Sequence, residues 1–224
     1  MADQLFKKRQ IARKERTSKE INERSETWLI VCEGTETEPN YFERLIKYAN
    51  SKSDKKVKYV IEGTGRNTEN LVDCIDGFFN YADNLNRERL IPYGKVFAVF
   101  DKDSFKKGQF NNAIFTAIKK GYIPIWSNEC IELWFLLHFN LLESNITRQK
   151  YFEKLGEILK MKYDKADNHF DLLDSETNLK NACRNAKILH KNSQDISSYA
   201  DKAPCTTVFM FIEELEKYLE VSLC

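Results

Sequence analysis

The sequence predicts an α/β fold: a mainly parallel sheet of four or more strands flanked by helices, with a helical C-terminal extension. Three observations lead there. Short, continuous apolar runs alternate four times with segments of helical period, the pattern of βαβ units joined by right-handed crossovers. The runs are apolar on successive residues, as strands covered on both faces are. After about residue 146 only helical period remains, and no Gly/Ser linker separates that tail from the rest.

The elements follow in order. "WLIVC" (28–32) is the first strand, and Tyr41, Phe42, Leu45, Ile46 and Ala49 then recur at helical spacing. "VKYVI" (57–61) is the second strand; "EGTGRNT" turns the chain, and the Asn67/Thr68 pair caps a helix carrying Leu71, Val72, Ile75, Phe78, Phe79, Ala82 and Leu85. "KVFAVF" (95–100) is the third strand, and Ala113, Ile114, Ala117 and Ile118 mark a helix that stops at Gly121. "YIPIW" (122–126) is the fourth strand, its proline indicating an edge or an ending, and "ECIELWFLLHF" reads as a buried helix. Helices at 148–161, 176–191 and 206–221 complete the tail. The chain thus divides into a basic arm (1–26, with Lys7, Lys8, Arg9, Arg13, Lys14 and Arg16), an α/β core (27–145) and a helical extension (146–224) packed on the core. The arm is either a solvated tail or a segment that orders on a partner.

Composition narrows the function classes. With 35 basic and 34 acidic residues the net charge is +1, so any surface for nucleic acid must be a local one. No apolar run approaches a membrane span, and the charged N-terminus has no apolar signal core, so the expectation is a cytoplasmic protein. None of the six cysteines stands in a CxxC pair and there are only three histidines, so zinc spacing is absent and the cysteines read as reduced, several of them as small apolar residues.

Two apolar runs end in acid. Glu33 follows the first strand; Asp101 follows the third, with Asp103 two residues on. In a parallel sheet these ends share one edge, where ligands bind. If the strands are neighbours, the three carboxylates converge, and Asp101 and Asp103 can turn to one ion where the chain leaves the strand. Crowded carboxylates repel, and a divalent cation removes that penalty. Oxygen ligands without His or Cys select Mg²⁺ or Mn²⁺, which serve phosphate-ester chemistry. Each acid alone is also ordinary turn chemistry. Lys102, Lys106 and Lys107 flank the acids and suit either backbone phosphates or plain solvent. "GTGRNT" lacks the Lys-Ser/Thr of a Walker A loop and reads as a tight strand-to-helix turn.

The pairing of "CEGTETEPNYF" with "FDKDSF" resembles the TOPRIM domain, the metal-binding α/β module of topoisomerases, primases and OLD-type nucleases. With the "GTG" turn, "SNECIELWFLLHF", "NAKIL" and Thr206 added, residues 25–220 resemble the RloB family, TOPRIM-like proteins of phage-defence loci related to the AbiL abortive-infection system. The resemblance implies that Glu33 is a metal ligand or general acid/base, that Asp101 and Asp103 are metal ligands, and that Glu132 of "ELW" belongs to the site. Glu129 stands where the family pattern has Pro. His138 is open between a site residue and a core histidine, and Glu36 and Glu38 suit the positive end of a helix. The implied function is a Mg²⁺-dependent (or Mn²⁺-dependent) nuclease cutting DNA or RNA, a toxic effector held silent by an ABC/SMC-like or AAA-type ATPase encoded beside it. The alternatives are a non-catalytic nucleic-acid-binding or phage-sensing subunit and, less supported, primase-type nucleotidyl transfer.

Overall fold

A computed structural model describes residues 26–82, 88–90, 93–163 and 176–224. The basic arm, up to residue 25, lies outside them. The described elements are β1 (Thr27–Cys32), α1 (Thr37–Ser51), β2 (Lys58–Gly63), α2 (Thr68–Cys74) running into a 3-10 turn (Ile75–Phe79), β3 (Asn80–Ala82), β4 (Glu88–Leu90), β5 (Lys95–Asp101), α3 (Lys107–Lys119), β6 (Ile123–Asn128), α4 (Glu132–Leu137), α5 (Arg148–Leu159), α6 (Glu176–Asn192), a second 3-10 turn (Tyr199–Asp201), β7 (Cys205–Thr206) and α7 (Val208–Leu219).

The main sheet has the order β2-β1-β5-β6-β7, and β3 and β4 form a separate antiparallel pair. β2, β1, β5 and β6 are parallel; only β7 runs against its neighbour. The central strands β1 and β5 are buried on both faces, as their unbroken apolar runs require, while β2 at the edge is only half-buried. Trp28, Ile30, Cys32, Phe97, Val99 and Ile125 point to a core completed by α1 and α4–α7. Leu29, Val31, Val96, Ala98, Phe100 and Trp126 point to the opposite core, completed by α2 and α3. Period-2 alternation thus divides one apolar run between two cores. Phe211 of α7 anchors the first, its ring centroid 4.7 Å from that of Phe97 and 4.8 Å from that of Phe42.

Four expectations meet corrections. The helix expected to carry Leu71 to Ala82 ends at Cys74, and Leu85, expected on the same helix, lies outside the described residues. Gly77 weakens a helical continuation, and Phe79 packs instead against Tyr93 and Tyr122, with centroids 6.2 and 6.0 Å away. Pro124 marks a half-open edge rather than an outer strand: β6 is interior, but β7 pairs only with its last two residues, Ser127 and Asn128, leaving the Pro124 half uncovered. The last helix begins at Val208 because Cys205 and Thr206 are drawn into the sheet. Finally, Cys183 and Cys224 are joined by a disulfide, while Cys32, Cys74, Cys130 and Cys205 are free thiols. Both bridged residues belong to the core where α6 meets the chain end. That end is folded back by Glu216, whose Oε1 accepts from the Leu223 and Cys224 amides at 2.6 and 2.7 Å.

Candidate functional site

The adjacency of β1 and β5 decides where the acids lie. In their parallel register Cys32 stands opposite Val99, and the Glu33 amide extends the ladder by donating to the Val99 carbonyl at 2.9 Å. Glu33 therefore lies beside the end of β5. Its Oε2 accepts from the Asp101 amide at 3.3 Å and from the Thr68 hydroxyl at 2.9 Å. Thr68 opens α2 and is fully buried. The "GTG" turn holds the loop that carries Glu33. The Thr64 amide and hydroxyl both donate to the Cys32 carbonyl at 3.0 Å. Gly63 comes so close that a Cβ there would stand 2.8 Å from the Gly34 carbonyl oxygen and the Thr35 Cα. A side chain at 63 would push this loop off β2, which is why the turn needs glycine.

Asp101 ends β5, is almost wholly buried, and accepts from the Ile131 amide at 3.1 Å through Oδ2. The chain then leaves the sheet. Lys102 donates its amide to the Ser127 carbonyl and Asp103 donates its own to the Glu129 carbonyl, both at 2.9 Å. Asp103 takes the left-handed conformation (φ 39°), one that aspartate tolerates better than most residues. This turn brings Asp103 onto the cavity that Glu33 and Asp101 line. Its carboxylate accepts from Arg148 Nη1, the first residue of α5, at 2.5 Å. The cavity, about 280 Å³, is lined by Glu33, Glu38, Asp101, Asp103 and Arg148 together with the Gly34–Thr37 loop.

The acids load one another electrostatically. Burial raises the Glu33 carboxyl to about 7, the charges of Glu38 and Asp103 add to the rise, and the Thr68 hydroxyl and Asp101 amide oppose it. Asp101 is pushed well above the usual carboxylate range by burial and then by Glu38, Glu132 and Glu33, against the Ile131 amide. Such a cluster gains from any cation that enters it. As the side chains stand, no group of three or more His, Cys, Asp or Glu among the described residues is arranged to hold a metal ion. Glu33 is turned to Thr68 and the Asp101 amide, and Asp103 to Arg148. The donor set, all carboxylate oxygen, nonetheless suits a hard divalent cation.

The other sequence candidates fall in different places. Glu132 opens α4, is fully buried outside the cavity lining, and its Oε1 accepts from the Tyr163 hydroxyl at 3.1 Å. Its charge still reaches Asp101. His138 is a core residue: its Nδ1 lies 2.9 Å from the Trp134 carbonyl, its ring meets the Trp134 ring edge-on at 5.1 Å, and burial depresses its pKa to about 4. Glu36 is the exposed N-cap of α1, without a side-chain cap bond. Glu38 does more than favour a helix start. It is buried against Gly34, where a Cβ would stand 2.1 Å from its Oε2, and it lines the cavity. Lys102 donates to the Asp103 carbonyl at 3.0 Å, and Lys107 pairs with Asp201. Both lysines and Glu129 line a neighbouring cavity of about 420 Å³, which shares Asp103 with the first.

Sequence reasoning missed Glu38, Thr68 and Arg148 as site residues. Glu38 was visible inside the "TEPNYF" string. Thr68 was visible only as a cap, and nothing in the order of the sequence ties Arg148 to residues 101–103.

A family model described as RloB-like protein matches residues 28–215. No curated protein and no solved structure matches the chain.

Proposed function

The chain belongs to the RloB-like family, and from that premise we propose that it is a metal-dependent nuclease, using Mg²⁺ or Mn²⁺ to hydrolyse phosphodiester bonds of DNA or RNA. In this reading it is the toxic effector of an anti-phage abortive-infection system, and a neighbouring-gene ATPase controls its release. The observation that carries the reading is the convergence of Glu33, Asp101 and Asp103, with Glu38, on one cavity at the C-terminal edge of a parallel sheet.

Asp101 and Asp103 are the residues that would hold the ion. The backbone between them, anchored on the Ser127 and Glu129 carbonyls, sets their spacing, and the Ile131 amide fixes the Asp101 carboxylate. A bound divalent cation supplies Lewis acidity toward the phosphoryl oxygen and a more acidic water. Glu33 is oriented by Thr68 and the Asp101 amide, and stands where a carboxylate can either complete the ligand set or take a proton from water. Glu132 acts on this centre by its charge rather than by lining it.

The test pairs calorimetry of Mg²⁺ and Mn²⁺ binding with cleavage of DNA and RNA, with and without the co-expressed ATPase, for the wild type and Asp101→Asn. The reading expects ion binding and cleavage to fall together while the fold persists. A folded Asp101→Asn protein with undiminished cleavage or toxicity would leave the non-catalytic binding or sensing subunit as the better account.

A further inference from the structure

The cavity has an electrostatic problem that its acids cannot solve. A phosphate that is to react there must approach Glu33, Glu38, Asp101 and Asp103, each of which repels it when ionised. Among the residues that line this cavity, Arg148 is the cation. It comes from the helical extension, at the first position of α5, and its side chain is 30% exposed in the ion pair with Asp103. Its guanidinium lies 5.9 Å from the centroid of Phe152, one helical turn on, which props the side chain toward the cavity. Thr147, the N-cap of α5, makes no side-chain cap bond and lines the neighbouring cavity, so the positive end of this 12-residue helix opens on that cavity.

We propose that Arg148 is the substrate-phosphate clamp of this site: it pairs with Asp103 in the substrate-free protein and transfers its fork to a non-bridging phosphate oxygen when a nucleic-acid strand enters. This rests on the nuclease reading for its substrate class, and adds the residue that recognises the phosphate. The exchange is balanced. A cation bound by the carboxylates satisfies Asp103 as Arg148 leaves it, and the guanidinium's planar donors match phosphate in two-point geometry. The same exchange explains why Asp103 is turned from the other acids in the structure. Arg148 occupies it until both ion and phosphate arrive.

The test uses the full-length chain, a short labelled DNA oligonucleotide and its RNA counterpart, and Ca²⁺ in place of Mg²⁺ so that binding is read without turnover. Arg148→Gln should weaken oligonucleotide binding by about tenfold or more, the loss of a charge-assisted phosphate contact. The same variant should keep or raise Mn²⁺ affinity by calorimetry, because a competing positive charge is gone. Arg148→Lys keeps a charge facing Asp103 and should bind with intermediate affinity; it makes the same comparison if the Gln variant is poorly folded. A purely structural ion pair predicts the reverse: a lower melting temperature with oligonucleotide binding unchanged, and that result overturns the inference. So does a wild-type protein that binds neither oligonucleotide. A protein whose oligonucleotide binding depends on Arg148 but which cleaves nothing in Mg²⁺, with or without the co-expressed ATPase, would retain the clamp and overturn the nuclease reading instead.

Discussion

Two regions of this molecule bury ionisable side chains, and they do so in opposite ways. At the end of α4, buried His138 meets the Trp134 ring, bonds to a backbone carbonyl and is held neutral by burial. At the sheet edge, half-buried Glu33 and buried Asp101 stand beside further acids, and part of each pKa rise comes from like charge. Burial alone disfavours charge in both places and says little about function. What separates them is unrelieved repulsion: the α4 group has settled its electrostatics internally, whereas the sheet edge gains only from something arriving from outside.

The bluntest way to break the comparison is to remove the cover that both regions share. Truncation at Asn145 deletes α5, α6, β7 and α7, and with them Tyr151, Leu155, Leu189, Phe211, Ile212 and Leu215, all buried in the core that also holds α4. The fragment 1–145 should be insoluble or lack a cooperative thermal transition, measured by differential scanning calorimetry. A soluble fragment with a sharp melt would make the extension a separate domain.

Smaller changes sharpen it. Glu33→Gln should lower cleavage about 10²- to 10⁴-fold, the range for losing a proton-transfer group, with the melting temperature level or higher because one repelling charge is gone. Circular dichroism melts alongside nuclease assays check both halves.

The α4 side predicts a pH effect of definite sign. Above pH 6.5 neither the folded nor the unfolded state protonates His138, so it contributes nothing. As pH falls from 6.5 to about 4 the unfolded chain takes up a proton that the folded chain refuses, and stability is lost. The loss approaches about 3 kcal/mol near pH 4. A His138→Leu variant should therefore flatten the acid limb of a denaturant-melt series over this window. An unchanged limb would show that the imidazole accepts its proton in place.

The mildest expected effect is at Tyr163. Tyr163→Phe removes a hydrogen bond to the buried Glu132, which should cost about 1–3 kcal/mol by chemical denaturation. Cleavage should change far less than in Glu33→Gln, since Glu132 lies outside the cavity lining. An equal loss of activity would bring Glu132 into the site proper.

Most of the sheet was legible in the sequence, because apolar runs buried on both faces and regular strand–helix alternation are local signals with one compact solution. The pairing of Glu33 with Asp101 followed from it, since both acids close strands that turned out to be neighbours. What was not legible came from tertiary contact. β7 is two residues long and has no pattern of its own. Every residue of α4 is buried, as is His138 that caps it, so periodicity could not say which way the histidine faced. Arg148 reaches Asp103 only because α5 packs against α4, and Thr68 reads as a cap until β1 and β5 place Glu33 beneath it.

The strand order also has a consequence in time. β1 lies between β2 and β5, so it cannot acquire its second neighbour until the long stretch through β3 and β4 has been synthesised and looped back. Closing such a loop costs entropy before any contact repays it, and topologies of this kind form slowly. The edge where the acids meet is therefore a late product of folding. Arg148 and the helices that cover α4 emerge from the ribosome later still, so a half-made chain carries the acids of the site without the assembled site.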